Sequence, residues 1–353
     1  MKGTGLMRRL LAAAALPFLM ALTSCVHEWP EKAEAGFELT LVFPGEMPQG
    51  PTHDIGTRAS ISAEDYDARY IIEAYERLGD GSYNESQAYA RFEFSQDGVR
   101  SLDNTFTLRI MEGEYRFRAW VDYIDKATGE PAFYSADNFR YIKLFGRDEK
   151  KPHVGNNDFR DAFTGCVDAE IIRFGGNHAP SSASMQMYRP LSKVVFITND
   201  LDDWITKVVV NQMEMLSQSG QTNVTIDPSS IRLEDYDVKI IYPQYMPNAF
   251  NLSTDRTAWS DVNVSFMSKM IKLSDTEAAL GFDYVFANET DPKGVMAVSL
   301  HSKDGTQLAR SIDVTVPLER GKVTTVTGSF LLEESDGGVS INPDFDGEFN
   351  IVL

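Results

Sequence analysis

Tyr115-Arg116-Phe117-Arg118-Ala119-Trp120-Val121-Asp122-Tyr123 alternates over nine residues. A period of two puts Tyr115, Phe117, Ala119, Val121 and Tyr123 on one face of a strand. Shorter runs behave in the same way: Phe37-Glu38-Leu39-Thr40-Leu41-Val42-Phe43, Ala90-Arg91-Phe92-Glu93-Phe94 and Thr105-Phe106-Thr107-Leu108-Arg109-Ile110. Turn residues separate them at Gly79-Asp80-Gly81, Asp97-Gly98, Glu112-Gly113, Asp304-Gly305 and Gly337-Gly338. Strands recurring at such intervals predict an all-β protein of antiparallel sandwiches.

Helical pattern is scarce. Asp202-Asp203-Trp204-Ile205-Thr206-Lys207-Val208-Val209 can open one short helix, capped by Asn199 or Asp200 and with acids in the first turn. Its β-branched tail reads equally well as a strand. Residues 44–60 and 145–158 are rich in Gly, Pro and charge and are expected as long surface loops. Gly175-Gly176-Asn177-His178-Ala179-Pro180-Ser181-Ser182 marks an interdomain linker or its neighbour. Tyr70-Ile71-Ile72-Glu73-Ala74-Tyr75 is echoed by Lys239-Ile240-Ile241-Tyr242, and Trp120-Val121-Asp122-Tyr123 by Phe282-Asp283-Tyr284-Val285. The echo keeps its order, as a pair of similar domains would.

The first residues point to export. Lys2, Arg8 and Arg9 precede the apolar run Leu10–Leu22, and small Thr23-Ser24 abut Cys25. The run is too short to span a bilayer. Leu22-Thr23-Ser24-Cys25 resembles the lipobox of bacterial lipoproteins. That resemblance implies a signal peptide over 1–24 and acylation of the Cys25 thiol. Acyl chains bury about 0.8 kcal/mol per CH₂, enough for several of them to hold the chain on an outer-membrane lipid surface.

Removing 1–24 takes away Lys2, Arg8 and Arg9 and no acid, so the formal charge moves from −19 to −22. Such acidity argues against nucleic acid and against direct adhesion to anionic lipid. The remaining 329 of 353 residues suit two domains of ordinary size. They are placed at 37–185 and 186–353, behind a tether over 25–36 that carries Glu28, Glu31 and Glu34.

Chemistry-bearing patterns are weak. With Cys25 acylated, Cys166 has no disulfide partner and is expected as a small buried hydrophobe. The five histidines, at 27, 53, 153, 178 and 301, lack metal-ligand spacing, and there is no GxSxG elbow. Asn342-Pro343-Asp344-Phe345-Asp346-Gly347 has the oxygen spacing of a calcium loop, but Leu353 stands where its bidentate Glu belongs, so a polar turn is expected. No catalytic residue, metal or cofactor is assigned. Trp120 has parity opposite to Phe117 and Val121. It either packs into a core or interdomain seam, or stands exposed as a platform for a sugar ring.

Longer stretches resemble fimbrillin-like lipoproteins of Bacteroidales. They are Cys25-Val26-His27-Glu28-Trp29-Pro30, Tyr188-Arg189-Pro190-Leu191-Ser192-Lys193-Val194-Val195-Phe196, Met246-Pro247-Asn248-Ala249-Phe250-Asn251, residues 316–328 and Phe345-Asp346-Gly347-Glu348-Phe349-Asn350-Ile351. The resemblance implies two transthyretin-like sandwiches in a pilus subunit, pilus anchor or free-standing surface protein. Glu28 and Glu31 loosely resemble the surface-export signal of such lipoproteins. In type V pili a protease cuts after an arginine, the first strand leaves, and a neighbouring subunit donates a replacement. Here that implies a cut between Arg58 and Ala59, with other pilus subunits as partners. The alternative is a glycan-binding lipoprotein of a polysaccharide uptake system, with Trp120 as its contact. Residues 314–318 and 323–327 also read as the two arms of a hairpin turning at Arg320-Gly321.

Overall fold

The computed structural model describes residues 34–45, 63–98, 103–148, 151–172, 180–221, 223–290, 293–332, 340–342 and 348–352. The expected signal peptide, Cys25, Arg58-Ala59, most of the glycine-rich stretch expected as a linker and the centre of the calcium-like loop therefore lie outside the described residues.

The first half of the chain supplies β1 (Glu34–Val42), β2 (Tyr66–Glu76), β3 (Ala90–Gln96), β4 (Asp103–Met111) and β5 (Gly113–Asp125). Four short strands follow: β6 (Tyr134–Ser135), β7 (Ile142–Leu144), β8 (Arg147–Asp148) and β9 (Lys151–Pro152). β10 (Phe163–Ile171) and β11 (Ser181–Tyr188) complete this half. The strand order β3-β2-β5-β10-β11-β1-β4 folds over on itself, with β11 the turning strand. β11 meets β10 at Thr164↔Tyr188 and Gly165↔Met187, and runs parallel to β1 from Phe37↔Ser181 to Val42↔Gln186. The sequence alternation is realised. Phe37, Leu39 and Leu41 of β1 and Tyr115, Phe117, Ala119, Val121 and Tyr123 of β5 all lie in one core. Phe37 stacks on Phe117 at 4.8 Å.

The second half opens with β12 (Leu191–Thr198) and α1 (Leu201–Gln218), the one α-helix among the described residues. Then come β13 (Tyr236–Asn251), β14 (Arg256–Ser268), β15 (Ile271–Lys272), β16 (Ala278–Phe286) and β17 (Lys293–Ser302). The chain ends with β18 (Gln307–Arg310), β19 (Val314–Pro317), β20 (Val323–Gly328), β21 (Ser340–Asn342) and β22 (Glu348–Val352). One sheet has the order β15-β16-β12-β20-β22-β21. The other has β18-β17-β13-β7-β6, with β14 added to β13 and β19 to β17. The molecule is thus mostly β, in several sheets, and parallel pairs (β1–β11, β12–β20, β20–β22) interrupt the expected antiparallel pattern.

Several expectations need correction. The helix is longer than its strong signal, because Leu201, Trp204 and Val209 form a buried stripe that extends it over the ambiguous valines. β19 and β20 are not hairpin arms. β19 pairs with β17 and β20 with β12, so Glu319–Lys322 carries the chain from one sheet to the other. The internal echo is not a structural repeat either. β2 and β5 are hydrogen-bonded neighbours, whereas β13 and β16 sit in different sheets. Cys166 is exposed, because β10 turns that parity outward opposite Arg118.

The described part of the stretch 145–158 is not a surface loop. It returns into the protein, where His153, Gly155 and Asn157 are buried. A Cβ on Gly155 would lie 2.1 Å from the Phe266 ring, so this approach requires glycine. The hairpin of β6 and β7, contributed by the first half of the chain, pairs with β13 through Ile142↔Phe250 and Lys143↔Ala249.

Trp120 settles on the seam. It is 0% exposed and, with Ile71 opposite it on β2, belongs to the larger core built mainly from the second half. Its ring meets Tyr134 edge-on at 5.4 Å and lies 6.3 Å from Phe286. It is therefore corrected as a glycan contact: the ring has no solvent face to offer. Trp120→Ala should cost roughly 3–5 kcal/mol in urea unfolding. A loss within about 0.5 kcal/mol would be that of a surface ring and would contradict this placement.

Candidate functional site

The candidate site is the seam between the two cores, together with the strand that leads into it. β1 lies between β4, with register pairs from Glu34↔Met111 to Val42↔Asp103, and the parallel β11. Its apolar parity is buried from Ala35 to Phe43, so β1 is an interior strand on both its edges and its inner face. It ends at the seam. Arg189, just past β11, donates from Nη1 to the Gly45 carbonyl at 3.1 Å.

Arg189 is locked by two further contacts. Its Nε donates to both carboxylate oxygens of Asp161 at 3.0 and 2.9 Å, and its guanidinium stands 4.6 Å over the Phe163 ring. Phe163 in turn meets Phe43 edge-on at 5.3 Å. Arg320 is held in a similar way nearby. It donates to the Ala287 carbonyl at 2.7 Å, to Asp255 Oδ2 at 2.8 Å and to the Asp255 carbonyl at 2.7 Å. The Tyr188 hydroxyl donates to Asp255 Oδ1 at 2.6 Å, and burial first, then Asp255, pushes its pKa upward. Between these groups lies an open cleft of about 640 Å³, lined by Pro44, Tyr188, Arg189, Glu289, Glu319 and Arg320. Tyr188-Arg189 and Glu319-Arg320-Gly321, far apart in sequence, thus meet at one place.

A second, fully buried cluster pins the returning stretch. Arg160 donates to Asp283 Oδ1 and, from Nη2, to the Tyr284 carbonyl at 3.0 Å. His153 Nε2 lies 2.8 Å from Asp283 Oδ2, and the Tyr242 hydroxyl donates to that oxygen at 2.6 Å. Burial pushes the Asp283 carboxyl up. The charge of Arg160, followed by His153 and Tyr242, outweighs it and holds the group below the usual range. Further pairs line the shared strands, and one of them reaches across to the second half. Arg118 clasps Glu85 at 2.7 and 3.0 Å and donates to the Leu252 carbonyl at 2.5 Å. Arg69 forms a bidentate pair with Asp122 at 2.7 Å, and Trp120 Nε1 donates to Asp122 at 2.9 Å.

Apart from the buried Nε of Arg160, which lacks a partner, the donors named here go to carboxylates and backbone carbonyls, an arrangement that holds a joint together. Among the described residues, no group of three or more His, Cys, Asp or Glu is placed to hold a metal. Of the residues singled out from sequence, Cys25, Arg58 and Ala59 lie outside the described residues, and Trp120 is interior. Sequence reading missed Asp161, Asp255 and Asp283. Only Asp255, in the left-handed region at φ 53°, bears a local sign of a special position.

The model of DUF6562, a family of unknown function, matches residues 31–353, and the chain belongs to that family. No curated protein matches it. Among solved structures it is similar to the fimbrial anchor protein Mfa2 from Porphyromonas gingivalis, at 11% identity, covering 78% of this chain and 82% of that one, with a TM-score of 0.35. It is also similar to the tip fimbrial protein Mfa3 of the same organism, at 9% identity over 80% of this chain and 81% of that one, with a TM-score of 0.35. Nothing about function follows from likenesses of this degree.

The buried pair makes a pH prediction. A carboxyl held low when folded contributes stability that is fully present above its unfolded pKa of about 4 and is lost as pH falls through the folded value. Asp283→Asn should cost about 3–5 kcal/mol near neutral pH, because Arg160 is left buried without its counter-charge. In thermal unfolding the gap between native and variant should hold down to about pH 4 and narrow as pH falls further, toward the depressed folded value. A gap that persists at low pH would overturn this assignment.

Proposed function

We propose that this member of the DUF6562 family is a lipid-anchored, non-catalytic surface module of the bacterial outer membrane, with a fimbrillin-like structural or adhesive role. One observation carries the reading. β1 follows the lipobox cysteine after only residues 26–33, and it is buried between β4 and β11. An anchor on Cys25 would therefore join the membrane to an interior strand, and load would pass directly into the first core. The sequence motifs at the seam support the same reading, since they meet where they hold the two cores together.

The position of β1 also supports strand exchange as a further step of this function. Removing it would bare an apolar groove including Leu108, Ile110, Met185 and Phe117, and would leave β4 and β11 each with an unpaired edge. An extended strand from a second subunit would satisfy both. A cut between Arg58 and Ala59 is the step that would release it. The glycan-binding alternative loses its residue, because Trp120 is interior.

Intact mass and N-terminal analysis of the chain taken from its native membrane tests both steps. An acylated Cys25 at the N-terminus is the expected form of the anchored module. A chain beginning at Ala59 would make strand exchange its working state. Cys25→Ser should move the protein from the detergent phase to the aqueous phase on phase separation, since loss of the acyl chains removes about 0.8 kcal/mol per buried CH₂. An unmodified Cys25 on the native chain would sink the anchor.

A further inference from the structure

The end of β1 is gripped from the seam, by groups that belong neither to β1 nor to its two neighbours' pairing. We propose that Arg189 is a clamp on the exit of β1, through which the seam between the cores controls whether that strand stays seated. The inference rests on the reading of β1 as the strand next to the anchor and concerns its regulation.

Pairing along β1 holds Glu34–Val42, but the strand's last apolar residue is Phe43, and the chain leaves through Pro44-Gly45. Three contacts close that exit. Phe43 packs on Phe163, Arg189 covers Phe163 from above, and Arg189 also holds the Gly45 carbonyl. Arg189 is 5% exposed, so most of its side chain is held inside the seam. Asp161 fixes its orientation through Nε, which leaves Nη1 aimed at Gly45. Asp161 directly follows Arg160, whose side chain enters the second core to reach Asp283. A continuous chain of contacts therefore runs from the exit of β1, through Arg189, Asp161 and Arg160, to β16. Any event that shifts the stretch bearing Arg160-Asp161 withdraws the support of Arg189 and frees β1 from its Gly45 end. The planar fork matters here. A lysine has one ammonium and no second arm in fixed geometry, so it can meet Asp161 or Gly45 but does not hold both in register.

Native-state hydrogen exchange on the full chain in detergent tests this, reading Thr40–Phe43 against β2 and β17. Arg189→Ala should speed exchange in Thr40–Phe43 about tenfold or more, with β2 and β17 unchanged, because the opening is local. Arg189→Lys should give an intermediate rise. Asp161→Asn, which leaves Arg189 in place, should also raise exchange at Thr40–Phe43, since the control comes from the seam. Unchanged exchange at Thr40–Phe43 in both Arg189→Ala and Asp161→Asn would overturn the clamp. So would a rise shared equally by β2 and β17, which is the signature of general destabilisation. Should Arg189→Ala not fold, Asp161→Asn and Arg189→Lys decide the matter by the same readout. The exchange rates do not depend on acylation, so an unmodified Cys25 would sink the anchor reading without altering this result.

Discussion

The shared wall formed by β2 and β5 is the constraint on which the rest of the molecule depends. Both faces of these strands are covered, one by the first core and one by the second. A strand buried on both faces cannot keep charged residues unless each finds a partner. The alternation that packs Phe117 and Val121 inward turns Arg118 and Asp122 toward the other half of the protein. Both are then satisfied, Arg118 by Glu85 and, across the seam, by the Leu252 carbonyl, and Asp122 by Arg69 and Trp120 of its own half. The polar parity of a strand that looks half-solvated has become the lining of a joint.

The same requirement explains the returning stretch around Arg160. A segment rich in Gly, Pro and charge would be expected in water. Here it enters the second core, because Asp283 on a wholly buried strand needs compensation, and Arg160, His153 and Tyr242 supply it. Replacing such a buried pair with apolar groups can be neutral, while breaking it is costly. Its value lies in register: it fixes where the first half docks on the second. With β6 and β7 extending a sheet of the second half, the two cores are held by backbone pairing as well as by charge.

The first strand is the counterpart of this joint. β1 is short, apolar on one face and close in sequence to the proposed acylation site, yet it ends against the joint, where Arg189 donates to the Gly45 carbonyl. The architecture therefore brings one strand, the seam and the seam's ion pairs into a single mechanical path. This gives the motif around Tyr188-Arg189-Pro190 a use beyond starting β12.

Strand positions were legible because period two is a local property. Phe37–Phe43 and Tyr115–Tyr123 needed no partner to reveal their apolar faces. What tertiary structure decided was everything that depends on the partner across a gap. Trp120 could be core or platform from its parity, and only Ile71, Tyr134 and Phe286 made it core. Val314–Leu318 and Val323–Thr327 have ideal hairpin composition, but β19 pairs with β17 and β20 with β12, in different sheets. Asp161, Asp255 and Asp283 are three among 52 acidic residues, and nothing local separates the paired from the solvated ones. Periodicity is written into the chain one residue after another, whereas the pairing of a buried charge exists only once distant segments have met.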